Sequence, residues 1–254
     1  MHAFGEDPFQ KMLSDFASIH PAPKAVLILS AHSLSSNEVY VLSTQNNTIQ
    51  HDFGGFPDEL YQIQYACPGS PEVAAQAHQL LRAADFVTHL DTQAPLDHGI
   101  WVPLKHLYPK GNVPVVRVSL PLDFSPAQIL KMGHSLATLR DQGVMILGSG
   151  GAVHNLRKLA WNEKNSEGFA WANAFESRLI QSLKHKNVDD LLLLEEQPEF
   201  TQAHPSREHF LPILFAVGAT LPGDEATILN KGVEYGSLSM LCFSLNYVQK
   251  KSLH

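Results

Sequence analysis

The amino-acid sequence predicts a single α/β domain with a central, mainly buried β-sheet and helices on both of its faces. Apolar runs alternate with amphipathic stretches, and no internal repeat or low-complexity linker divides residues 1–254. The run at residues 25–30 is continuous and does not alternate with polar residues, which is typical of a strand covered on both faces. Hydrophobic residues make up 44% of the chain and charged residues 17%, so a substantial core can form.

Four segments carry the strand pattern. Residues 25–30 form a continuous apolar run that ends in a serine, and residues 113–120 and 144–147 look similar. A fourth apolar segment lies near the carboxyl end, at residues 237–245. We expect these four segments to supply strands of the buried sheet.

Helix starts are marked by prolines that follow a capping side chain. A proline at the first helical position loses no hydrogen bond, because that backbone N–H has no partner within the helix. The helix that begins at Pro126 is expected to stop at Gly143, and a further helix is expected at residues 170–183. The three capping pairs are Asp7-Pro8, Ser70-Pro71 and Ser125-Pro126.

Composition excludes several classes of function. The net charge is −7 and the 18 lysines and arginines form no cluster, which argues against a nucleic-acid surface. The apolar run at residues 25–29 is far too short to span a bilayer, so no membrane association is expected. The amino-terminal residues lack the features of a secretory signal, which makes the cytoplasm the expected location. Cys67 and Cys242 form no C-x-x-C pair, which argues against a disulfide scaffold or a thiolate zinc site.

Histidine is unusually frequent, with 14 copies, and five of them lie where loops follow strands or where glycine and proline are dense. Taken singly, such a histidine is more often a surface or structural residue than a ligand. Two of the five are predicted to emerge beyond the carboxyl ends of strands, where open α/β sheets bind ligands. By contrast, His204 is expected in a surface loop. The five candidates are His32, His51, His98, His154 and His209.

A glycine-rich segment, Gly-Ser-Gly-Gly at residues 148–151, follows one of the predicted strands. It is not a dinucleotide-binding loop, because Val153 stands where the third glycine of that motif belongs. It is not the nucleophile turn of a hydrolase either, since the G-x-S-x-G spacing is absent. The simpler interpretation is a tight turn that presents His154, with a bare strand-to-helix turn as the alternative.

Five motifs occur in the order found in a known family. They are Ser-Ala-His at 30–32, His-Asp-Phe-Gly-Gly-Phe-Pro at 51–57, Asp-His-Gly-Ile-Trp at 97–101, Gly-Ser-Gly-Gly with His-Asn-Leu-Arg at 148–157, and Glu-His-Phe-Leu-Pro at 208–212. Together they resemble the class III extradiol ring-cleavage dioxygenases, and within that superfamily the 4,5-DOPA dioxygenase branch. The resemblance covers nearly the whole chain. It implies a single-domain α/β fold with a metal pocket at one edge of the sheet.

The resemblance also implies a metal site that holds Fe(II) or Zn(II). By position, His32 and His209 correspond to metal ligands, and His154 to a ligand or to the acid/base beside the metal. Glu208 is an alternative carboxylate ligand, because iron oxygenases often combine histidines with a carboxylate. In the family, a His-Gly-Ser-Pro-Met segment supplies a further ligand. Met1 aligns with its methionine, so that ligand is expected ahead of residue 1.

Catalytic and substrate-binding roles follow from the same resemblance. His98 corresponds to an acid/base next to the metal, and His51 to a group that orients the substrate. The substrates would be a catechol and O₂, and the protein would be a monomer or a small homo-oligomer. Three aromatic residues are candidates to flank the substrate ring, with core packing as the alternative for at least one of them: Phe53, Phe56 and Trp101.

Two other functions stay open at this point. A metal-dependent hydrolase would also gather histidines and a carboxylate around zinc, but its reaction would not need O₂. A non-catalytic binding protein on the same fold is the second alternative.

Overall fold

A computed structural model describes residues 8–162 and 167–247, and a five-stranded sheet forms its centre. The strand order is β3-β2-β4-β1-β5, and all neighbouring strands are parallel except β2 and β4. The α/β class with a central sheet is therefore confirmed. The strands are β1 (Ala25–Ser35), β2 (Val39–Leu42), β3 (Thr88–Asp91), β4 (Val115–Pro121) and β5 (Val144–Ser149).

Helices cover both faces of this sheet. Val26 and Ile28 of β1 pack into the layer of α1 and α4, whereas Leu27 and Leu29 pack into the layer of α3, α5 and α9. Among the described residues, no helix combines the length and the apolar character needed to cross a bilayer. The helices are α1 (Pro8–Ile19), α2 (Asp58–Tyr61), α3 (Pro71–Ala83), α4 (His98–Leu107), α5 (Pro126–Leu136), α6 (Ala170–Lys184), α7 (Val188–Leu192), α8 (Phe200–Ala203) and α9 (Leu211–Gly218).

The predicted helix starts agree with the observed caps. The Ser70 hydroxyl accepts a hydrogen bond from the backbone N–H of Val73, and Ser125 forms a reciprocal capping box with Gln128. The helix predicted to run to Gly143 changes into a 3₁₀ helix after α5 and ends at that glycine, whose φ is +82°. The cap predicted at Asp7 and the ligand expected ahead of residue 1 lie outside the described residues.

The fourth predicted strand, at residues 237–245, is wrong as a part of the buried sheet. The segment bends at Met240, whose N–H donates to the carbonyl oxygen of Gly232, and this bend separates two strands. Each strand pairs in a small antiparallel sheet outside the central one. The four strands of these two sheets are β6 (Asp224–Asn230), β7 (Val233–Glu234), β8 (Leu238–Ser239) and β9 (Cys242–Tyr247).

A cavity of about 580 Å³ lies between β5, at the edge of the central sheet, and β9. Its wall is mainly apolar and includes Phe9 of α1, Leu147 of β5 and Phe243 of β9. The cavity reaches residues 148–152, the turn that precedes His154. It therefore borders the region where the histidines gather but does not contain them.

Candidate active site

His32 lies on β1, in a stretch where the pairing of β1 with β4 is interrupted between Leu29 and Leu34. Its backbone N–H donates to the Ser30 hydroxyl over 3.2 Å. That hydroxyl in turn donates to the fully buried carboxylate of Asp97 over 2.7 Å. The irregular stretch turns His32 away from the regular pleat, and the buried Asp97 fixes the backbone beneath it.

His98 is the first residue of α4 and is held by Asp52. The backbone N–H of His98 donates to Asp52 Oδ1 over 2.9 Å, and Nδ1 of its ring lies 3.0 Å from Asp52 Oδ2. Both side chains are about one-fifth exposed. The Asp52 carboxylate therefore supplies a partner for a first-turn N–H of α4 and for the imidazole at the same time.

The glycine-rich turn after β5 brings His154 next to His209. A Cβ atom at Gly150 would lie 2.3 Å from the carbonyl oxygen of His209, and one at Gly148 would lie 2.1 Å from that of Pro212. Only glycine permits this approach of two backbones. The Gly151 N–H donates to the His209 carbonyl oxygen over 2.8 Å. The turn thus presents His154, as predicted, and its glycines serve the packing of the segment that carries His209.

Four of the five predicted histidines form a continuous row. The ring centroids of His98 and His32 are 4.1 Å apart, and those of His32 and His209 are 5.0 Å apart. The rings of His209 and His154 stack in nearly parallel planes with their centroids 3.5 Å apart. Residues separated by more than 120 positions in the sequence therefore meet beside the carboxyl half of β1 and beyond the carboxyl end of β5. The expectation that His32 follows the end of its strand is wrong, because β1 continues to Ser35.

Comparison with known proteins assigns the chain to a family. The family described as the catalytic LigB subunit of aromatic ring-opening dioxygenase matches residues 7–242. This chain belongs to that family. It is 37% identical over 220 residues to a protein of Beta vulgaris named 4,5-DOPA dioxygenase extradiol, covering 85% of this chain and 81% of that protein.

Two further matches are to Escherichia coli. A protein named 4,5-DOPA dioxygenase extradiol, from strain K12, is 36% identical over 225 residues, which are 87% of this chain and 82% of that protein. A crystal structure of an uncharacterised K12 protein matches with a TM-score of 0.82 and 31% identity, over 94% of this chain and 93% of that one. The sequence matches thus assign the chain to the ring-opening dioxygenase family, and the structural match shows that its fold occurs in a solved protein.

Burial favours the neutral form of three imidazoles in this member of the ring-opening dioxygenase family. Burial, followed by repulsion from neighbouring histidines, lowers the pKa of His154 to about 4 and that of His209 to about 2. Burial and the nearby His98 also lower the pKa of His32. A neutral imidazole keeps a nitrogen lone pair, so these side chains are ready to bind a metal ion or to accept a proton.

One compact group of possible metal ligands occurs within residues 8–162 and 167–247. It consists of His32, Asp52 and His98, whose ligand atoms all lie within 4.8 Å of one another. The ligand set implied by the family resemblance, His32 with His209 and His154, shares His32 with this group and extends along the row of rings. That set stays a prediction.

Glu208, the predicted alternative ligand, is half-buried and accepts a hydrogen bond from the Ser206 hydroxyl over 2.7 Å. Its negative charge acts on the pKa values of His32 and His154, where it opposes the effect of burial. The carboxylate therefore influences the row of histidines. Its role as a ligand stays a prediction.

Aromatic side chains form one wall beside His98. The Phe53 ring meets the His98 ring edge to face at 5.7 Å and the Phe56 ring at 5.6 Å. His51 packs against Phe53, and its Nε2 lies 3.1 Å from the carbonyl oxygen of Ile63.

Trp101 is different, since it is fully buried and donates its indole N–H to the carbonyl oxygen of Gln50. Trp101 therefore packs in the core, which was the alternative to substrate binding for at least one of the three aromatic residues.

The expectation that His204 lies in a surface loop is wrong. The residue is 2% exposed, and its ring lies among the phenyl rings of Phe175, Phe200 and Phe210. Its Nε2 is 3.0 Å from the carbonyl oxygen of Ala152, in the turn that presents His154. The helix α8 carries His204 inward at its carboxyl end, which no feature of the polar local sequence indicates. His204 thus supports the turn from the core side.

Sequence reasoning also missed Asp52 and Asp97. Each is adjacent in sequence to a predicted site histidine, and that adjacency was the available signal. Asp97 accepts hydrogen bonds from the hydroxyls of Ser30 and Ser33 on β1, whereas Asp52 binds His98 on α4. The two carboxylates therefore support two different histidines of the row.

Proposed function

We propose that this protein is an extradiol dioxygenase that opens the ring of a DOPA-like catechol with O₂, using one divalent metal ion, Fe(II) or Zn(II), held by histidine side chains. The observation that carries the proposal is the row of His98, His32, His209 and His154. The row occurs in a member of the ring-opening dioxygenase family, and this supports the proposed reaction. The names of the relatives support a DOPA-like catechol as the substrate.

The residues of the row fit a divalent metal. Imidazole nitrogens suit both iron and zinc, and burial favours the neutral form that a ligand must have. His32 is the first candidate, because it belongs to the compact group and to the set implied by the resemblance. His209 is the second ligand, and His154 or Glu208 completes the set. When bound, the metal supplies Lewis acidity toward the catechol oxygens and a route for electrons to O₂.

The chain's own side chains then handle protons and orientation. His98 accepts a phenolic proton, a task that a neutral imidazole performs well near neutral pH. His154, stacked on His209, is the second group able to hold a proton during the reaction. Phe53 and Phe56 provide an apolar surface for the substrate ring, and His51 beside Phe53 orients it. The half-buried setting limits the access of water to these groups.

Oxygen uptake tests the proposal. Protein loaded with Fe(II) under anaerobic conditions is mixed with L-DOPA and O₂, and consumption of O₂ is recorded together with visible absorbance. We expect O₂ uptake and a yellow product, and we expect both to be lost in His32→Ala but retained in the surface variant His185→Ala. Cleavage of an ester or amide substrate without O₂, with L-DOPA left unchanged, would identify a hydrolase instead. Metal binding without any conversion would identify a binding protein.

A further inference from the structure

Both oxygens of the Asp52 carboxylate are engaged by the same residue. Oδ1 accepts the backbone N–H of His98, and Oδ2 lies 3.0 Å from Nδ1 of its ring. Burial by itself raises the pKa of Asp52, but its contacts with the side chain and the backbone of His98 outweigh burial and lower that pKa. The carboxylate is therefore ionised and can only accept hydrogen bonds. Nδ1 of His98 has no other partner among the described residues, so a carboxylate oxygen 3.0 Å away favours a proton on that nitrogen.

We propose that Asp52 is a positioning residue that holds a proton on Nδ1 of His98 and so leaves the Nε2 lone pair free to act as the base. The proposal rests on the proposed function, in which His98 takes the phenolic proton. A neutral imidazole carries its proton on one nitrogen, and the partner of that nitrogen decides which one. Asp52 fixes this choice and also prevents rotation of the ring, because it binds the backbone of the same residue.

The His98 ring lies within the candidate site. The His98 ring contacts His32 on one side and the edge of the Phe53 ring on the other, with centroid distances of 4.1 Å and 5.7 Å. A carboxylate behind the ring also stabilises the imidazolium that forms when His98 accepts a proton, as in the triads of serine hydrolases. Asp52 thus acts on the reaction through His98, and it needs no contact with the substrate.

The competing role for Asp52 is that of a metal ligand, because it belongs to the compact group with His32 and His98. A ligand role would require Oδ2 to leave His98 and turn toward the ion. The backbone hydrogen bond argues against that role, since it ties the carboxylate to the start of α4. The two roles predict different effects of the same substitution, and this makes them separable.

Histidine tautomers in the metal-free protein test the proposal without any turnover. In long-range ¹H–¹⁵N spectra of ¹⁵N-histidine-labelled protein, recorded well above neutral pH, His98 is assigned by its loss in His98→Gln. We expect the Nδ1–H tautomer in the native chain. In Asp52→Asn the side-chain amide donates to Nδ1, so we expect the Nε2–H tautomer. Asp58→Asn, on the exposed first turn of α2, is the control and leaves the His98 signals unchanged.

Metal affinity and kinetics complete the test. With Zn²⁺ as the probe, Asp52→Asn is expected to lose less than about tenfold in affinity, the lower limit for removing a partner of a ligand histidine. With Fe(II) and L-DOPA, its kcat is expected to fall about 100-fold or more with little change in KM, and Asp52→Glu is expected to restore part of it.

Three results would overturn the inference: an Nε2–H tautomer of His98 in the native chain, an unchanged tautomer in Asp52→Asn, or a loss of Zn²⁺ affinity well beyond tenfold. The native spectrum alone decides the first, so the test stands even if the variant fails to fold. A switch of tautomer in a protein that never consumes O₂ would retain the Asp52–His98 arrangement and contradict the proposed reaction. Failure of the inference and failure of the function are thereby distinguished.

Discussion

The buried His204 leads to a specific prediction about stability and pH. Burial lowers the pKa of His204 from 6.5 to about 3 in the folded protein. Between these two values the unfolded chain binds a proton at this residue that the native protein does not. The free energy of unfolding therefore falls as the pH decreases, by about 1.4 kcal/mol for each pH unit well below 6.5. Over the whole interval, the contribution of this one residue is on the order of 5 kcal/mol.

The variant His204→Gln isolates this contribution. Glutamine retains an N–H donor for the carbonyl oxygen of Ala152 but has no group that titrates in this range. At neutral pH the variant is expected to be less stable by roughly 1–3 kcal/mol, because the ring no longer fills the space among three phenyl rings. As the pH falls below 6, the native protein loses stability faster, and the two stability curves converge.

Urea unfolding followed by tryptophan fluorescence at a series of pH values measures the two curves. The slope of unfolding free energy against pH should be smaller in His204→Gln by about 1.4 kcal/mol per unit. His185→Gln, at an exposed position after α6, controls for the loss of a histidine as such. Parallel curves for the native protein and His204→Gln would refute the reasoning, because they would mean that His204 gains its proton in the folded state.

Three further predictions concern packing, the metal and the substrate. Gly133→Ala places a Cβ atom 2.0 Å from a carbonyl oxygen of α9 and should lower the free energy of unfolding by about 2 kcal/mol or more. Gly54→Ala has open space around the new Cβ atom and should change the free energy of unfolding little in the same urea titration. His32→Ala should abolish Zn²⁺ binding measured by calorimetry, while His98→Ala should slow turnover much more than it weakens binding; equal losses in His98→Ala would contradict its role as acid/base. Phe53→Ala should raise KM for L-DOPA and leave Zn²⁺ affinity intact, and an unchanged KM would remove this ring from the substrate site.

The parts of the fold that depend on local sequence were predictable. Ser70 and Ser125 cap helices because their hydroxyl groups reach a backbone N–H three residues ahead. This contact depends only on residues that are close in the sequence. Residues 25–30 form a continuous apolar run because β1 is covered on both faces. Residues 144–147 are apolar too, although β5 lies at the edge of the sheet and is only partly buried. The segment 237–245 also contains many apolar residues, yet it is interrupted between β8 and β9, and its composition gave no sign of this interruption.

The candidate site was predictable only in its histidines. Strand ends and glycine-rich turns pointed to His32 and His154, and these two do lie in one row with His209. The contact between Asp52 and His98 joins residues 46 positions apart, and only the folded chain brings them together. The burial of His204 depends likewise on phenyl rings from other elements, so its own surroundings in the sequence could not indicate it.

The fate of the two oxygen atoms tests the central claim most directly. The Fe(II)-loaded protein is allowed to convert L-DOPA under ¹⁸O₂, and the product is analysed by mass spectrometry. An extradiol dioxygenase inserts both atoms of O₂, so the product should carry two ¹⁸O atoms before any exchange with water and should have an opened ring. A product without ¹⁸O, or an intact substrate in the presence of a bound metal, would contradict the proposed function.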